Sequence, residues 1–376
     1  MHLVPIMSGP QHSTIELFKL LPRDRYELHV VMSGPGEFQE ELERRGVTVH
    51  FCPSLTRGIS LLPDLRALRE LVNLFRTERF DLVHTHSSKT GILGRVAARS
   101  TGVPVIVHHV RGFAFHEFSG AGTRIGYSVL EAVATRLCDR VIFVNDEERE
   151  WAARNGVVPR SRSCTIYNGA DLSVFCPDER ARLRGPAREE FGIGADQLVV
   201  GFIGRLWEQK NPQVLVPTLV ELIARFPQLD PVLLIAGDGA MRDDLVAAAR
   251  AAGVEERLRL LGWRNDVVRA MSASDVIYLP SLWEGLPRTL IEASCLGVPG
   301  VASDVKGNRE VIVDAKTGRL VAPRDVVAAA SALGELLVSC ELLSQMGDAA
   351  AERAHRIYDA RETARKVEEI YADLLA

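Results

Sequence analysis

Residues 284–292 read Glu-Gly-Leu-Pro-Arg-Thr-Leu-Ile-Glu. Proline suits the opening of a helix, and a glycine just ahead of it lets backbone approach a ligand closely. The first N–H groups of such a helix, those of Arg288, Thr289 and Leu290, point out of its positive end, which makes a seat for a diphosphate. Glu284 stands in the loop before the helix, placed for sugar hydroxyls. Glu292, about one turn inside, can accept a pair of hydrogen bonds from a ribose diol. Taken alone, two glutamates at this spacing describe solvated helix charges just as readily.

Three more segments weigh against that plainer reading. Gly204-Arg205 ends an apolar run and Lys210 follows shortly after, so two cations flank a strand-to-helix corner. Fixed cations there stabilise the oxygens of a departing diphosphate. Ala236-Gly237-Asp238-Gly239 and Leu261-Gly262-Trp263-Arg264 close the next two apolar runs. Ligands of open α/β sheets sit at the carboxyl ends of strands, where all of these segments fall.

The first half offers fewer groups. Ser8-Gly9-Pro10-Gln11-His12 follows the first apolar run, and Gly9 is its point of close backbone approach. Arg111-Gly112 follows the run 105–109, with His108, His109 and His116 nearby. Arg111 is a permanent cation; His109 reads either as a hydrogen-bonding catalytic group or as a core histidine. Gly34-Pro35-Gly36-Glu37-Phe38-Gln39 lacks the third glycine of a dinucleotide fingerprint and reads as a loop. The sequence contains no Asp-x-Asp, so the metal-clamping carboxylate signature is absent and metal-independent chemistry is expected, with Arg and Lys in the electrostatic role of a divalent ion. The six cysteines form no C-x-x-C pair and suit reduced thiols of a cytoplasmic protein.

The elements that must hold these groups alternate along the chain. Strands are expected at Leu3–Met7, Leu28–Met32, Val47–Cys52, Leu82–Thr85, Val105–His109, Val141–Val144 and Cys164–Tyr167. A second series runs through Val199–Ile203, Val232–Ala236, Leu258–Leu261, Val276–Leu279, Gly300–Ala302 and Gly318–Val321. Most are unbroken Val/Ile/Leu runs, as strands buried on both faces require, and helical periods separate them. The chain therefore reads as α/β, two doubly wound domains with parallel sheets facing across a cleft. The charged stretch 176–197 interrupts the alternation and is expected to be the linker. The expected domains are 1–180 and 198–357, with 181–197 between them and a terminal helix in 358–376.

Composition agrees. At 376 residues and 47% hydrophobic, the chain is long enough for two cores. A formal net charge of −4 gives no basic field for nucleic acid. No apolar run reaches the roughly 18–20 residues that a membrane span needs. Leu61–Phe80 carries Arg66, Arg69, Arg76 and Arg79 around apolar positions 61, 62, 65, 68, 72 and 75. It reads either as a surface helix packed on its sheet or as an amphipathic helix against anionic lipid.

Taken together, GRLWEQKNP (204–212), LIAGDGAMRDDL (234–245), LLGWRNDV (260–267) and EGLPRTLIEASCLGVPGVASDVKGNREVI (284–312) resemble glycosyltransferase family 4, the glycosyl transferases group 1, of GT-B fold. HTHSSKTGILGRVAARSTGVP (84–104), VIFVND (141–146) and IYNGADLSVFCP (166–177) extend the resemblance over nearly the whole chain, nearest the branch that builds capsule, exopolysaccharide and O-antigen units. The resemblance implies a retaining enzyme that moves a hexose or N-acetylhexosamine from a nucleotide diphosphate sugar, with UDP favoured. The implied acceptor is a saccharide or a polyprenyl-diphosphate-linked saccharide at the cytoplasmic face of the membrane. It further implies that Arg205 and Lys210 bind the donor diphosphate, Glu292 the ribose and Glu284 the transferred sugar. Backbone at Gly262–Arg264 would border the base, and the terminal helix would cross back onto the first domain. Two departures stand out: one glycine, Gly9, where the family usually has a pair, and Arg111-Gly112 where many relatives have His-Gly. A UDP-sugar epimerase of similar architecture and a non-catalytic sugar-nucleotide-binding protein are the competing readings.

Overall fold

Every residue of the strand Val105–Val110 is buried, so the sheet around it must be covered on both faces. The computed structural model describes residues 7, 9–56, 58, 60–113 and 120–376, and the chain divides into two units. Met1–Gly169 with Ala360–Ala376 form the first, and Ala170–Asp359 the second.

In the first unit, β1 (His29–Met32) pairs in parallel with β2 (Thr48–Phe51). A parallel four-stranded sheet runs β3 (Leu82–His86), β4 (Val105–Val110), β5 (Arg140–Phe143), β6 (Ser163–Thr165), in that order. The expected strand Leu3–Met7 lies, except for Met7, outside the described residues. One sheet face packs Ile106, Val141 and Phe143 against Leu71 and Phe75 of the helix Leu61–Glu78. The other packs Val107 and Ile142 against Leu17 and, from the terminal helix Ala360–Leu375, Ala364, Val367 and Tyr371. That helix buries one stripe at helical spacing, and it is further held by Arg25–Glu368 at 2.6 Å and by Tyr371 Oη to His84 Nδ1 at 2.5 Å.

The second unit is one parallel sheet of six strands: β7 (Leu198–Ile203), β8 (Pro231–Ala236), β9 (Leu258–Gly262), β10 (Val276–Leu279), β11 (Gly300–Ser303) and β12 (Gly318–Val321). Their spatial order is β12-β11-β10-β7-β8-β9. The order reverses between β7 and β10, which makes that gap the topological switch point of a Rossmann-type sheet. Val200, Phe202, Leu233, Ile235 and Tyr278 pack under Leu215, Leu219 and Leu222 of one helix and Leu333, Leu336 and Leu337 of another.

The stretch expected to be a linker is built into the second unit. Pro177–Glu190 is helical, and its arginines at i, i+4 and i+8 all face inward. Arg180 donates to Gly297 O at 2.8 Å and Ser274 O at 3.2 Å; Arg184 and Arg188 grip the two oxygens of Asp275 at 2.5 and 2.8 Å. Arg188 also reaches Ala273 O at 3.2 Å. Ala273 ends the helix Val267–Ala273, so these cations complete the negative end of a helix dipole. Burial lowers the Arg180 guanidinium to about 10, still charged at neutral pH. Charge here marks a clamped helix, not a solvated tether, and the unit boundary falls earlier, at Gly169/Ala170.

Candidate functional site

The loops that leave the strands around the switch point are stitched together by backbone. Gly204 N–H donates to Ala236 O at 3.0 Å, Leu206 N–H to Asp238 O at 3.0 Å, and Gly237 N–H to Gly262 O at 2.8 Å. Leu282 N–H reaches Gln209 O at 2.8 Å, and the Gln209 amide donates to Trp283 O at 3.0 Å. Contact is close enough to require glycine at particular places. A Cβ on Gly237 would lie 1.9 Å from Gly204 O, and one on Gly307 2.6 Å from Gly285 O. The loops carrying Arg205, Lys210 and Glu284 are thus fixed relative to one another before any ligand arrives.

Lys210 Nζ stands 2.5 Å from Glu284 Oε1, and Ser281 Oγ donates to the same oxygen at 2.7 Å. Lys210 closes the short turn Glu208–Lys210, and Asn211 after it is left-handed at φ 52°. Asparagine tolerates that conformation better than most residues. Asn211 is fully buried, and neither of its amide atoms has a hydrogen-bond partner among the described residues. The Arg205 guanidinium lies over the Trp207 ring, 5.0 Å from its centroid.

The helix Arg288–Cys295 begins one residue later than the sequence suggests, with Pro287 as its extended N-terminal cap. Thr289 Oγ1 donates to Ile203 O, the last carbonyl of β7, at 3.0 Å, which pins the helix start to the switch point. The Leu290 side chain is in the core, so only its backbone N–H is available to a ligand. Arg288 turns back along the helix and holds Glu292 Oε1 at 2.6 Å. Burial, with Glu292 second, pushes the neighbouring Cys295 thiol up to about 12, leaving it inert at neutral pH.

Gly262 ends β9 in the left-handed region at φ 66°. The Arg264 side chain is taken up elsewhere: both oxygens of Asp266 at 2.7 Å, Glu190 at 2.9 Å, and the Phe191 ring with its centroid at 5.0 Å. What this segment offers a ligand is backbone and the exposed Trp263.

The remaining candidates lie in the first unit. Gly9 heads the helix Gly9–Leu20, where its carbonyl accepts from Ser13 Oγ at 3.0 Å. Arg111 follows β4 and donates to Asn168 Oδ1. His108 is occupied by Thr85 Oγ1 at 2.9 Å and lies 4.0 Å from Glu131 Oε2, a structural role. His109 is buried in β4, and neither ring nitrogen has a hydrogen-bond partner among the described residues; His116 lies outside them. Burial, and then the Arg111 charge, hold His109 well below the usual histidine value, so it is a neutral imidazole at neutral pH. His84, His86 and His109 bring ring nitrogens within 4.8 Å of one another. The His84 ring stacks on the other two at centroid separations of 4.5 and 5.5 Å.

Residues 184–353 match the family Glycosyl transferases group 1, and residues 8–169 match the Glycosyl transferase 4-like domain. The chain is 34% identical over 375 residues to a UDP-Gal:alpha-D-GlcNAc-diphosphoundecaprenol alpha-1,3-galactosyltransferase of Escherichia coli, covering 99% of this chain and 96% of that one. It belongs to the group 1 glycosyltransferases. A second relative, the putative glycosyltransferase EpsD of Bacillus subtilis, is 26% identical and covers 94% of this chain and 91% of its own. In fold, this glycosyltransferase matches Anabaena HepE solved with UDP and glucose, at a TM-score of 0.81, 21% identity and coverage of 99% and 98%. WaaG, a glycosyltransferase involved in lipopolysaccharide biosynthesis, matches at 0.77, 16% identity and 98% of each chain. Two α/β units with parallel sheets and the GT-B fold are therefore as expected.

The group 1 region of this glycosyltransferase contains Arg205, Lys210, Glu284 and Glu292; the 4-like region contains Gly9, His109 and Arg111. Ser281 and Asn211 escape sequence reasoning. Ser281, in the loop just after β10, precedes Glu284 by three residues, spacing that lets its hydroxyl reach the carboxylate. Asn211 had a weaker signal, an Asn-Pro pair directly after a lysine.

Proposed function

We propose that this glycosyltransferase moves a hexose or N-acetylhexosamine from a UDP-sugar onto a polyprenyl-diphosphate-linked saccharide, with retention of anomeric configuration, at the cytoplasmic face of the membrane. The observation that carries this reading is the Lys210–Glu284 contact at the switch point, beside a helix start pinned to β7. The name of the Escherichia coli relative supports the donor and acceptor classes.

In this reading the donor diphosphate sits against the N–H groups of Thr289 and Leu290. Lys210 leaves Glu284 for the phosphate oxygens, where it and Arg205 oppose the charge that grows as the bond breaks. These two cations supply the stabilisation that a divalent ion supplies in other transferases. Glu284, still oriented by Ser281, accepts from hydroxyls of the transferred sugar. Glu292 keeps one oxygen on Arg288 and offers the other to the ribose, while backbone at Gly262–Arg264 borders the base. The C1–O bond to the phosphate breaks with its electron pair passing to the leaving UDP. The acceptor oxygen bonds to C1 from the same face, and its proton passes to the departing phosphate. Positioning and fixed charge do the catalysis. Gly9, His109 and Arg111 are assigned to the acceptor side, with His109 as a neutral hydrogen-bonding group.

Incubation with a UDP-hexose and polyprenyl-diphosphate-linked N-acetylglucosamine is expected to give an elongated lipid whose new linkage is α. The anomeric coupling in proton NMR reads it. A β linkage would contradict retention, and epimerised UDP-sugar formed without acceptor would favour the competing epimerase.

A further inference from the structure

Trp207 stands between the two candidate diphosphate cations and is tied to both. Its N–H donates to Arg205 O at 2.9 Å, closing a three-residue turn, and its carbonyl accepts from Lys210 N–H at 2.9 Å. Leu206, at the corner of that turn, is fully buried. Its N–H donates to Asp238 O at 3.0 Å, and its carbonyl accepts from Met241 N–H at 3.1 Å. Core packing and the loop after β8 therefore fix the turn together.

The closed turn brings the indole back beside Arg205, whose guanidinium carbon lies 5.0 Å from the centre of the ring. The indole fits there because residue 239 is glycine. A Cβ on Gly239 would meet Trp207 Cδ1 at 2.6 Å and Leu206 O at 2.5 Å. The edge of the ring thus rests against bare backbone of the loop after β8.

Lys210, Arg288 and Arg264 are each held by a carboxylate, from Glu284, Glu292 and Asp266 respectively. A carboxylate fixes a cation but also offsets its charge, and it competes with any phosphate that arrives. An aromatic face attracts a cation through its quadrupole, most strongly where the ring is indole, and leaves the charge whole. An arginine restrained in this way gives up rotamer freedom before the ligand binds, so less is lost on binding.

We propose that Trp207 is the positioning residue of Arg205: its indole holds the guanidinium, with its charge undiminished by that contact, in the place from which it meets the donor diphosphate. The proposal rests on the reading in which Arg205 binds that diphosphate, and names the side chain that sets where Arg205 stands.

The test is a double-substitution cycle over Trp207→Leu and Arg205→Ala in the full chain, with UDP and uridine affinities from calorimetry and kcat from steady-state transfer. Trp207→Leu is expected to weaken UDP binding and to lower kcat by about three- to tenfold each, with uridine affinity unchanged. Trp207→Phe, which keeps a ring of weaker attraction, should fall between Trp207→Leu and wild type. In the Arg205→Ala background Trp207→Leu should change UDP affinity and kcat by less than about twofold, because the group it positions is gone. Trp207 is 39% exposed, so Trp207→Ala serves in the same cycle should Trp207→Leu fail to fold. Wild-type UDP affinity and kcat in Trp207→Leu would overturn the proposal. So would an equal loss in both backgrounds, which would make the indole a ligand contact in its own right. A fall in uridine affinity as large as that for UDP would overturn it too, since the ring would then serve the base or the fold. Failure of the donor-site reading looks different: Arg205→Ala alone would bind UDP as wild type does, and the proposal would fall with that reading.

Discussion

Lys210→Ala is expected to lower kcat by about 10²- to 10³-fold with much less change in KM. The charge it opposes develops only as the sugar–phosphate bond breaks, so its loss falls mainly on the transition state. In the free enzyme Lys210 also neutralises Glu284, whose side chain is only 7% exposed. Removing the lysine leaves that carboxylate with Ser281 alone, and a modest fall in unfolding temperature should accompany the kinetic loss. Glu284→Gln separates the two effects. It keeps the shape and the hydrogen bond from Ser281 but weakens acceptance from sugar hydroxyls, so kcat should fall and KM rise together, by about tenfold or more overall. Steady-state kinetics beside thermal unfolding of each variant make the measurement. Near-wild-type turnover in both would remove the pair from the mechanism.

The first unit should lose stability steeply in mild acid. Burial holds His84, His108 and His109 well below the ordinary histidine value, with neighbouring positive charges adding to it in each case. Below about pH 6.5 the unfolded chain binds protons at all three while the folded chain does not, so stability falls as pH falls. The slope from each histidine rises from about 0.7 kcal/mol per pH unit near pH 6.5 toward about 1.4 well below it, so the three together lower stability by about 4 kcal/mol between about pH 7 and about pH 5.5. Above about pH 7 their contribution is level, because both states are then neutral. Urea unfolding followed by far-UV circular dichroism and by the fluorescence of Trp151, the one tryptophan of this unit, from about pH 7 to about pH 5.5 checks the slope. A flat profile over that range would mean these imidazoles accept protons in the folded state.

Most strands were legible because they are buried apolar runs; every residue of β4, β8, β10 and β11 is buried. Val276–Leu279 has no alternation to hide in, and β10 occupies the residues its apolar run marks. The candidate site was legible as four loop segments at strand ends, since loop glycines and charges stand out against Val/Ile/Leu. The order of the strands was not, because nothing local records that β10 lies beside β7. Lys210 and Glu284 are brought together only by that neighbourhood, whereas Arg288 and Glu292 are one helical turn apart and their pairing follows from spacing. The expected linker failed for a related reason. Arg180, Arg184 and Arg188 look solvated along the chain, because their partners are distant in sequence: the Ala273 and Ser274 carbonyls and the Asp275 carboxylate. The amphipathic stretch 61–80 held two signals at once: its later turns serve the core, and its first turn stays bare.

The most direct test is calorimetric titration of the wild type and of an Arg205→Ala/Lys210→Ala variant with UDP and with uridine. If the switch point grips a pyrophosphate, UDP should bind wild type at least about 100-fold more tightly than uridine, a gap of about 2.7 kcal/mol. That gap should shrink below about tenfold in the variant while uridine binding is unchanged. Equal affinity for UDP and uridine in the wild type, or a gap that survives loss of both cations, would contradict the account.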